Sequence, residues 1–302
     1  MTERVALTGA TGFLGSNLLA ALEKSNYPAR ALTRRPRADT TSTSWINGDL
    51  NNRPALDELV EGCSSIIHCA GATRGNSLED FLEVNLKGTE NLLNAARKIT
   101  PAPRFLLISS VAARYPEYSW YARSKSMAET LLMSDDYAAL PRTIYRPAAV
   151  YGPGDREMRP LFRLMRRGFL AGTGAPGARI SLIHVADLVN ALLMWLQAGE
   201  AQGLFELDDG TNEGYRWKDI AAAGEAAWKR RIIHIRVPAT LLKCAAHANL
   251  QLARAFRYPA MLTPGKVNEI THKNWVCDNT PLTTTLGWKP QISLRDGIDT
   301  AT

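Results

Sequence analysis

The sequence predicts an α/β protein: a doubly wound parallel sheet with a smaller C-terminal α/β lobe. Three observations lead there. Short apolar runs alternate with helical stretches through the first half, the rhythm of strand–helix–strand crossovers. The runs are continuously apolar, as strands buried on both faces are. The first of them, Val5-Ala6-Leu7, passes through the glycine-rich turn Thr8 to Gly15 into the helical stretch Ser16–Leu22.

That turn organises the rest. A strand that enters a helix through closely spaced glycines aims backbone N–H groups and a helix dipole at one spot, which suits a pyrophosphate. Gly9 would permit the tight turn, Gly12 a close approach of phosphate to backbone, and Gly15 close packing of helix on strand. The spacing is G-x-x-G-x-x-G, which a plain strand–helix turn also allows. The candidate cofactor contacts here are Gly9, Thr11, Gly12, Phe13, Leu14 and Gly15.

Further strands are expected at Ala29–Thr33, Ser44–Ile46, Ser65–Ala70, Phe105–Ser110 and Arg142–Arg146. Helices are expected at Ala55–Val60, Leu78–Ile99 and Tyr121–Met133. Beyond Gly154 the pattern loosens into a helix at Arg159–Arg167, a glycine-rich turn at 172–177, a strand at Ile180–Val185 and an apolar helix at Ala186–Leu196. Pro238–Tyr258 reads as an alanine-rich helix, suited to a wall over a substrate or to a membrane surface. The expected division is 1–150 plus about 182–205 for the dinucleotide-binding part, and about 151–181 plus 206–302 for the substrate lobe.

Composition excludes several classes. Hydrophobic residues at 45% and charged residues at 22% are ordinary for a globular protein, and no window holds the ~18 unbroken apolar residues of a membrane span. The N-terminal apolar run breaks at Thr8 and Gly9, unlike a signal sequence. Cys63, Cys69, Cys244 and Cys277 lack C-x-x-C spacing, so no metal site is expected and reduced cytoplasmic thiols are. The net charge of +7 is spread over separate runs without interleaved aromatics, which points away from nucleic acid.

Tyr121 and Lys125 are four residues apart, on one face of the expected helix. A free phenol titrates near ~10, and a neighbouring cation lowers that toward neutrality, so the pair reads as a proton donor or acceptor. Ser110, closing the fifth strand at the sheet's carboxyl edge, could hold a substrate oxygen against the phenol. Asn85 is a poor helix former inside a long helix and reads as a bond to a backbone carbonyl or to water in a proton path. Pro147 would shape a loop after the sixth strand.

Gly9/Gly12/Gly15, Asp49-Leu50, His68 to Gly71, Asn85, Ser109-Ser110, Tyr121/Lys125, Arg146 to Gly154, Ile183 to Asp187 and Leu286 to Pro290 stand in the order of a known family. Together they resemble extended short-chain dehydrogenases/reductases of the NAD-dependent epimerase/dehydratase family over nearly the whole chain. In character they are nearest its dihydroflavonol-4-reductase-like and 3β-hydroxysteroid dehydrogenase-like members. The resemblance implies a Rossmann sheet and a catalytic set of Ser110, Tyr121 and Lys125 assisted by Asn85. It also implies Asp49 and Leu50 against the adenine, Ala70, Gly71 and Ala72 along the cofactor channel, Pro147 and Val150 beside the nicotinamide, and a homodimer seam of the two long helices.

Thr33 stands where a carboxylate would hold the ribose hydroxyls of NAD, and Arg34 and Arg35 follow it, so NADP(H) is the expected cofactor, with NAD(H) possible. The expected reaction is hydride transfer to or from a carbonyl or alcohol carbon of a small, partly apolar substrate. Leu241, Leu242, Ala245, Leu250, Leu252, Phe256 and Met261 supply the apolar character, if they are not simply lobe core. A nucleotide-sugar 4-epimerase with retained cofactor is one alternative. Against it, Arg179 is one residue off the position where those enzymes bind diphosphate, although Arg159, Arg163 and Arg166 could still serve an anionic substrate. A non-catalytic NADP-binding regulator is the other.

Overall fold

The structure is a computed structural model that describes residues 4–172, 177–199 and 201–301. Seven parallel strands form one sheet in the order β11-β6-β5-β4-β1-β2-β3. They are β1 (Val5–Thr8), β2 (Ala29–Thr33), β3 (Thr43–Asn47), β4 (Ser65–His68), β5 (Arg104–Ile108), β6 (Arg142–Pro147) and, from much later in the chain, β11 (Gly203–Leu207). Both faces are covered, and neighbouring residues of one strand serve opposite cores. Val5 and Leu7 pack with Leu18, Leu22, Leu188 and Trp195, while Ala6 packs with Leu56, Leu59, Leu92 and Leu132. This two-residue alternation, apolar on both sides, is why the strands read as unbroken apolar runs.

Helices α1 (Phe13–Lys24) and α7 (Val185–Ala198) pack together over one face. Over the other lie α2 (Arg53–Val60), α4 (Gly88–Ala96) and α5 (Trp120–Leu132). The expected helix Leu78–Ile99 is not continuous. It is α3 (Leu78–Leu82), a π turn at Glu83–Lys87, then α4. The π turn absorbs an extra residue at Asn85, whose side chain is bound to a neighbouring loop and whose carbonyl accepts from the Thr89 hydroxyl at 2.6 Å.

Among the described residues, three two-stranded sheets stand beside the main one. β7 (Ala149–Tyr151) pairs with β10 (Leu182–His184), β8 (Phe169–Gly172) with β12 (Ile233–Arg236), and β9 (Arg179–Ile180) with β13 (Asn274–Trp275). The expected single strand Ile180–Val185 is therefore two strands in different sheets, and Val185 already belongs to α7. Of the expected glycine turn at 172–177, Gly172 ends β8, and 173–176 lie outside the described residues.

A second core, with Tyr151, Phe162, Met165, Leu182, Ile220 and Leu294, sits under α6 (Arg159–Arg166), α8 (Trp217–Trp228) and α12 (Leu294–Gly297). Helix α9 (Ala239–Phe256) leads to α10 (Pro264–Thr271), and α11 (Thr280–Leu286) packs against β11 and α7. Among the described residues no helix is long and apolar enough to cross a membrane.

Candidate functional site

The glycine turn is built by close approach of main chain to main chain. Gly9 has φ 72°, in the left-handed region, and a Cβ there would stand 2.6 Å from the Ala70 nitrogen. A Cβ on Gly15 would be 2.6 Å from the Gly9 carbonyl carbon, so only glycine lets α1 rest on the turn. Gly12 opens α1 with its N–H bonded to the Gly9 carbonyl at 2.9 Å. No side chain caps that terminus and its first turn carries no acidic residue, which leaves its positive end uncompensated. Thr11 is exposed, and Phe13 and Leu14 are half-buried beside it. The turn after β7 closes over this end, with the Asn17 amide donating to the Pro153 carbonyl at 3.3 Å.

Thr33 ends β2, its hydroxyl donating to the Arg35 carbonyl at 2.8 Å, and Arg34 and Arg35 are exposed. No carboxylate occupies the strand end. Beyond β3, exposed Asp49 accepts from the Asn51 N–H at 2.9 Å, while Leu50 lies under Gly88 and its carbonyl accepts from Asn91. Pro147 differs from expectation. It is the last residue of β6, in register with Leu207, because the edge strand β11 needs no N–H from it. Val150 pairs with Ile183 one strand further on.

Asn85, buried in the π turn, makes three bonds. Its Oδ1 accepts from the Ala72 N–H at 2.7 Å, and its Nδ2 donates to the Ala72 carbonyl at 3.1 Å and to Ser124 Oγ at 2.8 Å. The expected backbone-carbonyl bond is thus present. Gly71 sits between Asn85 and Lys125: a Cβ there would be 3.2 Å from both Asn85 Oδ1 and Lys125 Nζ. The loop Ala70–Ala72 thereby joins the end of β4 to α5.

Beneath it, the Thr8 hydroxyl meets His68 Nδ1 at 2.6 Å and His68 Nε2 meets Thr89 Oγ1 at 3.0 Å. The Thr89 hydrogen is already given to Asn85, so Nε2 is the donor and the imidazole is neutral. Burial holds His68 down to about 3.

Ser110 follows β5 and opens a 3-10 turn, its Oγ accepting from the Ala112 N–H at 3.2 Å and standing close enough to the Tyr121 phenol to lower its pKa. Lys125, one helical turn past Tyr121, is buried and donates to the Ile108 carbonyl at 2.8 Å. Burial brings its ammonium down to about 8, against a smaller opposing pull from Cys69 and Glu129. Arg146 of β6 in turn donates to Glu129 from Nε and Nη2, a two-bond contact along one guanidinium edge. The structure thus brings Ser110 to Tyr121 and Asn85 to Lys125.

The expected acidification of the phenol is absent from the chain alone. Burial raises the Tyr121 pKa and outweighs the Ser110 hydrogen bond and Lys266, while Lys125 spends its nearest bond on β5.

Lys266 was not singled out from the sequence. It lies on α10 with its Nζ 5.9 Å from the Tyr121 ring centre and 2.7 Å from Glu269. Burial opposes its charge, but Glu269 and the phenol more than offset that and hold its pKa above the ordinary value. Glu269 also accepts from Ser119, the N-cap of α5, so α10 is clipped to the start of the helix bearing Tyr121. Only the Thr263 cap before Pro264 marked α10 locally. Of the apolar residues expected to face substrate, Leu250 is buried against Trp120, whereas Leu241, Leu252, Phe256 and Met261 are exposed. Among the described residues no cluster of His, Cys, Asp or Glu could hold a metal, and burial raises Cys63 to about 11 and Cys69 to about 12, which makes them unreactive thiols.

A nicotinamide dinucleotide fits this arrangement. The glycine turn leaves the space that side chains would fill, the α1 terminus offers N–H groups to phosphate, and Ser110, Tyr121 and Lys125 lie along the same carboxyl edge of the sheet.

Known proteins agree with this geometry. Over 97% of its length and 92% of the relative's, the chain is 36% identical to a protein named ceramide reductase from Caulobacter vibrioides. It is 22% identical to a decarboxylating sterol-4-alpha-carboxylate 3-dehydrogenase of Dictyostelium discoideum, covering 98% of this chain and 99% of that one. Among solved structures, a UDP-glucuronic acid 4-epimerase from Bacillus cereus, in complex with UDP-glucuronic acid and NAD, shares the fold at a TM-score of 0.76 and 19% identity. That match covers 99% of this chain and 97% of the other. Residues 5–207 match the NAD-dependent epimerase/dehydratase family, and the chain belongs to that family.

Proposed function

We propose that the protein is an NADP(H)-preferring ketone reductase whose substrate is a long-chain lipid of ceramide type. The observation that carries the reductase reading is the hydroxyl pair Ser110–Tyr121 at the end of β5, with the phenol kept protonated by burial. A bound reduced nicotinamide supplies the hydride. Tyr121 gives its proton to the substrate oxygen, and Ser110 holds that oxygen while the charge develops. Lys125, with Tyr121, would hold the nicotinamide ribose, and Asn85 and Gly71 fix where Lys125 sits. A phenol held above its ordinary pKa starts as the acid that reduction needs.

The lipid class rests on the ceramide reductase relative and on the unusually apolar segment beside Tyr121. Cofactor preference rests on Thr33, Arg34 and Arg35, a strand end with no carboxylate to repel a 2′-phosphate. The alternative of a nucleotide-sugar epimerase needs a cation for diphosphate, and with Arg179 held by Glu213 at 2.8 Å that part would fall to the arginines of α6. The substrate lobe is proposed as the part around α6, α8 and α12 with α9 and α10. A homodimer through the two helical stretches Leu78–Ile99 and Tyr121–Met133 is proposed as well, with Met127 and Met133 exposed on the second.

The test is oxidation of NADPH and of NADH with 3-ketoceramide, simple ketones and UDP-sugars. Turnover with 3-ketoceramide and at least about tenfold lower KM for NADPH are expected. Interconversion of UDP-sugars without net NADPH loss would overturn the reading, and a tenfold preference for NADH would overturn the cofactor part alone.

A further inference from the structure

We infer that Glu157 selects the substrate, by accepting a hydrogen bond from a hydroxyl or amide N–H carried close to the reacting ketone. The inference rests on the ketone-reductase reading above and narrows its substrate class. Ketones with a donor group beside the reacting carbon are taken, and plain alkyl ketones are turned away.

The turn that joins β7 to α6 carries Glu157 to the phenol's side of the cleft. Buried Asp155 shapes that turn: its Oδ1 accepts from the Glu157 N–H at 2.7 Å and its Oδ2 from the Met158 N–H at 2.9 Å. From the other side of the cleft, the loop beyond Ala72 brings Arg74. Its Nε donates to Glu157 Oε1 at 2.9 Å, and its Nη2 lies 2.9 Å from the same oxygen. The next residue, Gly75, rests on Phe81, where a Cβ would stand 2.9 Å from the ring. Phe81 in turn meets the Tyr121 ring edge-on, with centroids 6.3 Å apart. Glu157 is thus tied to the loop that packs on the phenol's own ring neighbour. Its charge reaches both Tyr121 and Lys266, whose Nζ is 5.9 Å from the Tyr121 ring centre.

Arg74 occupies only one oxygen of that carboxylate. Among the described residues Glu157 Oε2 has no partner, and the side chain is 40% exposed. Lys266, the other charge that reaches the phenol from this side, already holds Glu269. The open position is therefore an acceptor. A bare alkyl chain laid against it strips water from a carboxylate and returns nothing. A hydroxyl or amide N–H returns a hydrogen bond to a charged group. A site built to bond a polar substituent rejects the analogue that lacks it far more sharply than an apolar wall reads one methylene. Apolar surface near Tyr121 can hold a chain of many kinds, and Glu157 decides which ketone is presented to the phenol.

Two ketones test it, 3-ketoceramide and a saturated long-chain ketone without hydroxyl or amide, in the same detergent with saturating reduced dinucleotide. The wild type is expected to favour 3-ketoceramide by at least about tenfold in kcat/KM. Glu157→Met is expected to bring that ratio within about threefold, chiefly by raising KM for 3-ketoceramide, with its circular dichroism unchanged. Glu157→Gln keeps an acceptor oxygen and is expected to hold an intermediate ratio. Arg74→Met breaks the ion pair but leaves the acceptor, and the wild-type ratio is expected to persist. A change in the phenol's acidity acts on both ketones alike and cancels in the ratio. Equal use of both ketones by the wild type, or a wild-type ratio in Glu157→Met, overturns this inference alone and leaves the ketone-reductase reading standing. So does loss of the ratio in Arg74→Met as complete as in Glu157→Met, which would make the ion pair a loop clip only. Reduction of neither ketone overturns the ketone-reductase reading, and this inference with it.

Discussion

The two walls around Tyr121 are made differently. On the sheet side, Asn85, Ser124 and Lys125 are buried and hydrogen-bonded to one another or to backbone at 2.7–3.1 Å. On the α10 side, Lys266 and Glu269 reach the phenol and Ser119 from a helix attached to the largely exposed α9. The first wall is fixed by strand ends and by glycines that no other residue can replace. The second is an arm of side-chain contacts laid across it. A buried network tolerates no missing partner, whereas a partly exposed ion pair near a ring changes its effect only by degrees.

Breaking the chemistry held by the first wall gives the largest effect. Tyr121→Phe is expected to lower kcat by about 10²–10⁴-fold with dinucleotide affinity retained, measured by steady-state kinetics and by calorimetric titration of the dinucleotide. Wild-type turnover in that variant would remove Tyr121 from the mechanism. Gly15→Ala forces a methyl into the Gly9 carbonyl, and a stability loss of about 1–3 kcal/mol with weakened dinucleotide binding is expected from urea unfolding and the same titration. Asn85→Ala strips the Ala72 N–H and Ser124 of their partner, with an expected cost of about 1–3 kcal/mol and a lower kcat that Asn85→Asp does not restore, since a carboxylate cannot donate to Ser124.

Acid provides a graded version of the same test. Neutral, buried His68 titrates near 3, far below the 6.5 of an ordinary imidazole. Between those values the unfolded chain takes up a proton that the folded one refuses. Stability contributed by this site is therefore complete above 6.5 and falls as pH drops toward 3, by up to about 1.4 kcal/mol per pH unit. Denaturation midpoints at pH 7, 6 and 5 should show it, and His68→Gln should flatten the slope. The smallest effect is expected on the second wall. Lys266→Met should lower kcat only about three- to tenfold and move the pH profile upward, because a cation that lowers the phenol's pKa is lost while burial, Glu269 and Glu157 still raise it. An unchanged profile would mean that the arm positions α5 without touching the proton.

What the sequence disclosed follows the same division. The strands of the main sheet and the glycine turn were legible because burial on both faces and backbone crowding leave continuous apolar runs and closely spaced glycines. Ser110, Tyr121 and Lys125 were legible as a strand end and a four-residue step. The π turn was not, since the same residues fit an α-helix and only the loop at Ala72 and the Thr89 hydroxyl favour the wider turn. Lys266 and Glu269 were hidden by distance, for nothing near them in the chain refers to Tyr121 or Ser119. The split of Ile180–Val185 depends on which partner strand each half finds, β13 or β7, and no local pattern records that.

The place of β11 at the sheet's outer edge has a consequence for how the chain comes off the ribosome. Its backbone completes the Thr143–Pro147 ladder, and α7, just upstream, roofs α1. A nascent chain released after Tyr151 would carry a raw strand edge and an uncovered oily face, the two features that invite clumping. The opening half is therefore no detachable cartridge for grafting onto other proteins. It becomes whole only after the ribosome has passed Leu207, when five of the twelve buried residues of the second core have already been made.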